Sequence, residues 1–180
     1  KRAINSAQNT LRLAKEIYGD NDPRLLRSYN SLINLSNNNE TVKFTSEVLK
    51  IIYDNELEET KIGARTWNSI AQSNLLNGNY IDAEFYYEKA KTIFKNQSIP
   101  FNPYGYINSS LGLSSSQLWQ GKLQKTKENL AEVKITLDEN PNVTKLYYGD
   151  YYHELGNLYF VQDKFPKASE NYRNSFSFYG

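Results

Sequence analysis

Trp67-Asn68-Ser69-Ile70-Ala71, then Gly78-Asn79-Tyr80-Ile81-Asp82-Ala83, then Tyr87, Ala90 and Phe94, is the stretch that decides the fold. Its apolar residues fall at i, i+3, i+4 and i+7 in two runs, one through Trp67, Ile70 and Ala71 and one through Ala83, Tyr87, Ala90 and Phe94. That spacing is the period of an α-helix and not of a strand. Asn77-Gly78-Asn79 between the runs supplies turn chemistry, so the segment reads as two helices joined tightly.

The same pattern returns 85 positions on, where Tyr152 matches Trp67, Ala168 matches Ala83 and Tyr172 matches Tyr87. Leu113, Gly121, Thr126, Leu130, Val133 and Leu137 form a copy in between, and Tyr29, Leu32, Ile33, Thr45, Leu49 and Ile52 form one before. Ala7, Leu11, Ala14 and Tyr18 match only the second helix of the pattern, so a half copy opens the chain. The small-residue anchors 7, 45, 83, 126 and 168 are spaced by 38, 38, 43 and 42. Breakers lie between copies, at Gly19-Asp20-Asn21-Asp22-Pro23, Ile99-Pro100-Phe101-Asn102-Pro103 and Asp138-Glu139-Asn140-Pro141-Asn142. Asp22 is placed to cap a helix with Pro23 in its first turn.

Composition narrows the chemistry. With 21 basic and 20 acidic residues among 180, the net charge of +1 argues against nucleic acid, which calls for a basic excess gathered on one face. Zero Cys removes disulfides and thiolate metal sites, and a single histidine, His153, leaves no pair of His ligands. No metal and no cofactor is expected. Mean hydropathy is −0.70, and no apolar run reaches the roughly 18 residues of a membrane helix. Neither leader nor span is visible, so both a cytoplasmic and a periplasmic location suit the chain.

The repeat resembles the tetratricopeptide repeat, a helix–turn–helix unit whose first helix carries W-x-x-L-G-x-x-Y and whose second carries A-x-x-x-F/Y-x-x-A. Trp67, Ile70, Ala71, Gly78, Tyr80, Ala83, Tyr87 and Ala90 carry the likeness, as do Tyr152, Leu155, Gly156, Tyr159, Phe165, Ala168 and Tyr172. The other copies depart from it, with Thr45 and Thr126 at the Ala position and Ser114 at the Gly position. Spacings above 34 and the linker Ile17–Pro23 are similar to the long-repeat variant of kinesin light chains. The resemblance implies an all-α, right-handed solenoid: a trailing helix at 1–21, then full repeats at 22–60, 61–98, 99–140 and 141–180. A chain that opens and closes inside the pattern reads as a piece of a longer one.

In that family the first helices of successive repeats line a concave groove that takes protein or peptide segments. The resemblance therefore places Arg27, Asn30, Asn34 and Asn37, then Arg65, Asn68, Gln72 and Leu75, on the groove. In the third repeat Leu111-Gly112-Leu113-Ser114 allows two registers, and Asn108, Leu111, Ser115 and Trp119 are the choice. His153, Asn157 and Phe160 complete the set. Asn30 and Asn68 match the groove asparagines of light-chain-like repeats, an amide ladder suited to a peptide backbone. Arg27 and Arg65 offer guanidinium forks for a carboxylate. The alternative for all of these is an ordinary solvated helix face in an Asn-rich protein.

Catalysis finds little support. His153 and Glu154 are adjacent on a helix and diverge by about 100°, and no nucleophile is placed beside them. Ser114-Ser115-Ser116 is a small-residue face. The expected function is a non-catalytic scaffold, adaptor or sensor domain for a protein or peptide partner. Self-association through uncapped solenoid ends is one rival. The regulatory arm of an enzyme whose catalytic part lies outside this chain is the other. Of 15 tyrosines, Tyr86, Tyr104, Tyr106, Tyr147, Tyr148 and Tyr151 fall off the repeat stripe and are candidates for an apolar contact surface. Asn39, Asn96, Asn108 and Asn142 begin glycosylation tripeptides of the sort that arise freely in such a composition.

Overall fold

A computed structural model describes residues 2–35, 38–95 and 101–179. Asn37, Asn96 and the breaker Ile99-Pro100 lie outside them. All regular structure among the described residues is helical: α1 (Arg2–Tyr18), α2 (Leu26–Leu35), α3 (Asn38–Asp54), α4 (Lys61–Leu76), α5 (Tyr80–Lys95), α6 (Pro103–Trp119), α7 (Leu123–Glu139), α8 (Leu146–Val161) and α9 (Phe165–Tyr179). Each helix packs on its neighbours in the chain. In addition α2 meets α4, α4 meets α6 and α6 meets α8, so alternate helices form a continuous row. That sequential stacking is solenoid-like.

Local chemistry sets the helix ends. Asp22 caps the turn Pro23–Leu25 that leads into α2, and Asp22 Oδ1 accepts 2.8 Å hydrogen bonds from the Arg24 backbone N–H and from Nε. The Arg24 side chain holds the Asp22 carboxyl down at about 2. Thr60 caps α4 by accepting from the Gly63 N–H at 3.1 Å. Gly78 (φ +78°) turns α4 into α5, and Gly121 (φ +74°) turns α6 into α7. The matching position between α8 and α9 is Asp163, at φ +56°. A side chain there sits in the left-handed region that glycine occupies without steric cost.

The small residues stand where helices cross. Ala71, Ala83 and Ala90 are fully buried, and Tyr87 fills the space beside Ala71, Ala83 and Leu113. Gly112 of α6 sits directly on the Tyr87 ring, and a Cβ there would intrude on it. Gly156 repeats the device in α8, where a Cβ would come within 2.6 Å of the Tyr172 ring. Trp67 is fully buried, donates from Nε1 to the Glu58 carbonyl at 2.9 Å and stacks on Tyr86 at 5.8 Å. Tyr86 is thus half-buried against the core, and Tyr106 and Tyr151 are buried.

Helix α6 is the most enclosed, with Ser109, Ser110 and Ser114–Ser116 all buried. Serine hydroxyls there return to the carbonyl four residues back, as Ser114 does to Ser110 at 3.0 Å, whereas the buried Ser110 Oγ finds no hydrogen-bond partner among the described residues.

Candidate functional site

Equivalent residues in the row α2, α4, α6, α8 follow from the repeat spacing of 38, 43 and 42. One position reads Arg27, Arg65, Asn108, Asp150. One turn on it reads Asn30, Asn68, Leu111, His153, and a further turn on Asn34, Gln72, Ser115, Asn157. Gln72, Leu75, Asn108, Leu111, Ser115, Asp150, His153 and Glu154 line a hollow of about 580 Å³ between α4, α6 and α8, with Tyr104 and Tyr147 at its rim. The structure therefore brings Gln72, Asn108 and His153 together around one space. Arg27, Asn34 and Arg65 lie exposed on the same helix row.

Several amides are held by neighbouring helices. Asn30 Nδ2 donates to Thr66 Oγ1 of α4 at 3.1 Å, and its buried Oδ1 finds no hydrogen-bond partner among the described residues. The equivalent amide of Asn68 lies 3.0 Å from Ser109 Oγ of α6. Thr66 donates its single proton to Ile62 and Ser109 faces Gly105 in the same way, at 2.9 Å each. A hydroxyl has one proton, so Asn68 matches Asn30 when its Nδ2 faces Ser109, the two orientations of an amide having one shape. Gln72 Oε1 accepts from Tyr87 Oη at 2.6 Å, and Asn157 Oδ1 accepts from Tyr172 Oη at 2.9 Å. These bonds link helices, and of the four amides that of Gln72 also lines the hollow.

At the α8 end His153 Nδ1 lies 3.6 Å from Glu154 and 3.4 Å from Asn157 Nδ2. The Glu154 carboxylate raises the imidazole above its ordinary value, against the opposing effect of burial. Asp150 accepts from the Tyr179 hydroxyl. Two predicted positions fall elsewhere. Trp119 stands exposed at 58% and stacks on Tyr80 of α5 at 6.3 Å, away from the hollow. Phe160 meets Phe165 edge-on at 5.7 Å and lines a separate hollow on α9. Asn37 is outside the described residues.

A larger hollow, about 920 Å³, opens on the opposite side between α5 and α7, with α6 as its floor. It was not legible in the repeat pattern. Lys91, only 12% exposed, donates to Asn129 Oδ1 at 2.6 Å and pairs with Glu132 at 3.1 Å. Tyr106 Oη donates to Glu132 at 2.7 Å, and this bond, with Lys91, holds the carboxyl below its ordinary value. Glu84 pairs with Lys122 and accepts from Gln120 at 2.8 Å, which outweighs the upward push of burial on its carboxyl. At both ends of this hollow the charges neutralise one another across helices, which is how a brace is built. Among the described residues, Arg27, Arg65, Asp150 and Glu154 on the inner row pair with no Lys, Arg, Asp or Glu, and Glu154 faces His153.

Among the described residues no group of three or more His, Cys, Asp or Glu could hold a metal ion, and no helix is long and apolar enough to cross a membrane. No protein-family model matches the chain, and no curated protein matches it.

Proposed function

We propose that the chain is a non-catalytic binding scaffold of the tetratricopeptide type, which holds an extended protein or peptide segment along the row α2, α4, α6, α8. On this reading it is a right-handed solenoid with repeats at 22–60, 61–98, 99–140 and 141–180, and α1 is the trailing helix of a repeat before them. The observation that carries it is the hollow of about 580 Å³, where Gln72, Asn108, Ser115 and His153 from three consecutive repeats face one space. Amides and hydroxyls at repeat spacing suit a ligand whose own donors and acceptors recur along its backbone.

Selection of random twelve-residue peptides against the purified chain puts this to work, with binding mapped by amide chemical shifts. Selected peptides are expected to perturb α4, α6 and α8, and Asn108→Trp, which fills the hollow from an exposed position, to abolish their binding. A footprint between α5 and α7, or binding indifferent to Asn108→Trp, overturns the reading.

A second reading, stacking of copies, draws on α9. Its Phe165 and Phe176 are exposed at 54% and 75% and line a hollow of about 510 Å³ with Tyr172 and Phe160. Sedimentation over a range of concentrations decides it: a monomer throughout, unchanged by Phe176→Asp, removes this reading.

A further inference from the structure

The position occupied by Arg27, Arg65, Asn108 and Asp150 carries positive charge in α2 and α4, none in α6 and negative charge in α8. Its neighbour on the ligand-facing row reads Ser31, Ser69, Gly112 and Glu154, which adds a second carboxylate at the α8 end. Lys61, exposed in the first turn of α4, adds a further cation at the other end. We infer that the scaffold takes a bipolar segment in one orientation, its acidic end over α2 and α4 and its basic end over α8. This rests on the binding reading above and specifies the partner's chemistry.

Three observations support the polarity. Among the described residues, neither the Arg27 nor the Arg65 guanidinium makes an ion pair, although both are exposed. At the far end, Asp150 accepts from a neutral phenol and Glu154 faces His153 and Asn157, so among the described residues neither carboxylate meets a Lys or Arg. Both Asp150 and Glu154 line the hollow together with Asn108, which fixes the position as ligand-facing in α6 and α8. The outer face shows the opposite habit, since Lys91 with Glu132 and Lys122 with Glu84 are closed pairs.

Packed helices lie about 8–10 Å apart, so three steps from α2 to α8 span roughly 25–30 Å. An extended chain advances about 3.3–3.6 Å per residue, so about eight residues separate the two ends of the ligand. Screening at physiological salt acts over about 8 Å, and each end of the row therefore reads its own part of the ligand. A uniformly acidic segment is repelled at α8, and a uniformly basic one at α2 and α4. Charge order along the ligand is what this surface selects.

The experiment uses four synthetic twelve-residue peptides. One carries Glu-Glu first and Lys-Lys last around a neutral Ser/Asn spacer, one has the reverse order, one has Glu at all four charged positions and one has Lys. A bipolar peptide, in at least one chain direction, is expected to bind about tenfold more tightly than either uniform peptide, two exposed ion pairs at each end being worth about that much. A nitroxide on its acidic end is expected to broaden amide resonances of α2 and α4. In Arg27→Glu/Arg65→Glu/Asp150→Lys/Glu154→Lys the broadening is expected to move to α8. Should that variant fail to fold, Arg27→Glu/Arg65→Glu touches only exposed side chains, and it is expected to cost the bipolar peptide about tenfold.

Uniform peptides that bind as well as bipolar ones overturn the proposal. So does a nitroxide that broadens α8 in the unmodified chain, indifference to both variants, or no binding by either bipolar peptide. The binding reading itself survives such a result if library peptides still footprint on α4, α6 and α8, and falls if they footprint elsewhere.

Discussion

The Tyr87 hydroxyl donates a 2.6 Å hydrogen bond to Gln72 Oε1 across the crossing of α4 and α5. Eighty-five positions on, Tyr172 makes the matching bond to Asn157 at 2.9 Å across α8 and α9. The ring that fills the gap between two helices thus also aims an amide on the inner row. Burial pushes both phenols above their ordinary range, so they stay protonated donors. Tyr87→Phe keeps the ring and removes the bond. It is expected to cost about 0.5–1.5 kcal/mol in urea unfolding, and Tyr172→Phe no more than that. Gln72→Leu made beside Tyr87→Phe separates the bond from the packing: a double-mutant cycle with no coupling would show that the pair contributes nothing.

Gly112 is the second contact of that ring. Ala71 touches Tyr87 from α4, and Gly112 approaches it from α6, which fixes how closely two repeats stack. Gly112→Ala is expected to destabilise the chain by about 1–3 kcal/mol through overpacking, more than a mere change in helix propensity, which by itself would favour Ala. Replacing Tyr87 by Leu in the same chain is expected to restore part of the loss. A neutral or stabilising Gly112→Ala would show that the ring has room to move.

Much of this is legible in the residues alone. The apolar period of Trp67, Ile70 and Ala71, the breakers at Asp22-Pro23 and Gly78, and alanines at the crossings each impose one local geometry, so the helices follow. Charge and hydrogen bonding were less visible. Asp150 takes the position of Arg65, and a reading that looks for like residues passes over a reversal of sign. Leu118 and Trp119 are both apolar neighbours, and only packing shows that Leu118 is buried while Trp119 stacks on Tyr80. The brace of Lys91, Asn129 and Glu132 joins α5 to α7 through side chains that look solvated in a helical projection.

His153 reports on the acidic end of the row. It is the single histidine, so its ring resonance needs no assignment by mutation. Its partner Glu154 raises the folded-state value above 6.5. A raised value means that the contact contributes stability fully below the unfolded value of about 6.5, and that this is lost as pH rises through the folded value. Glu154→Gln is expected to lower the His153 titration midpoint and to flatten the dependence of the urea midpoint on pH in that window. An unchanged midpoint would mean that Glu154 does not act on the ring.

Asp163 offers a gain. Gly78 and Gly121 occupy the two equivalent turns at φ +78° and +74°, whereas Asp163 holds φ +56° with a side chain that is exposed and makes no ion pair among the described residues. The left-handed region costs a residue with a Cβ about 1–2 kcal/mol, and glycine gives back part of the relief as chain entropy in the unfolded state. Asp163→Gly is therefore expected to stabilise the chain by about 0.5–1 kcal/mol, with the turn between α8 and α9 unchanged. Gly78→Ala is the reciprocal experiment and is expected to destabilise by a similar amount. Because the two turns share one register position, the changes have opposite signs for one cause. A destabilising Asp163→Gly would show instead that the Asp side chain does more in that turn than occupy a strained position.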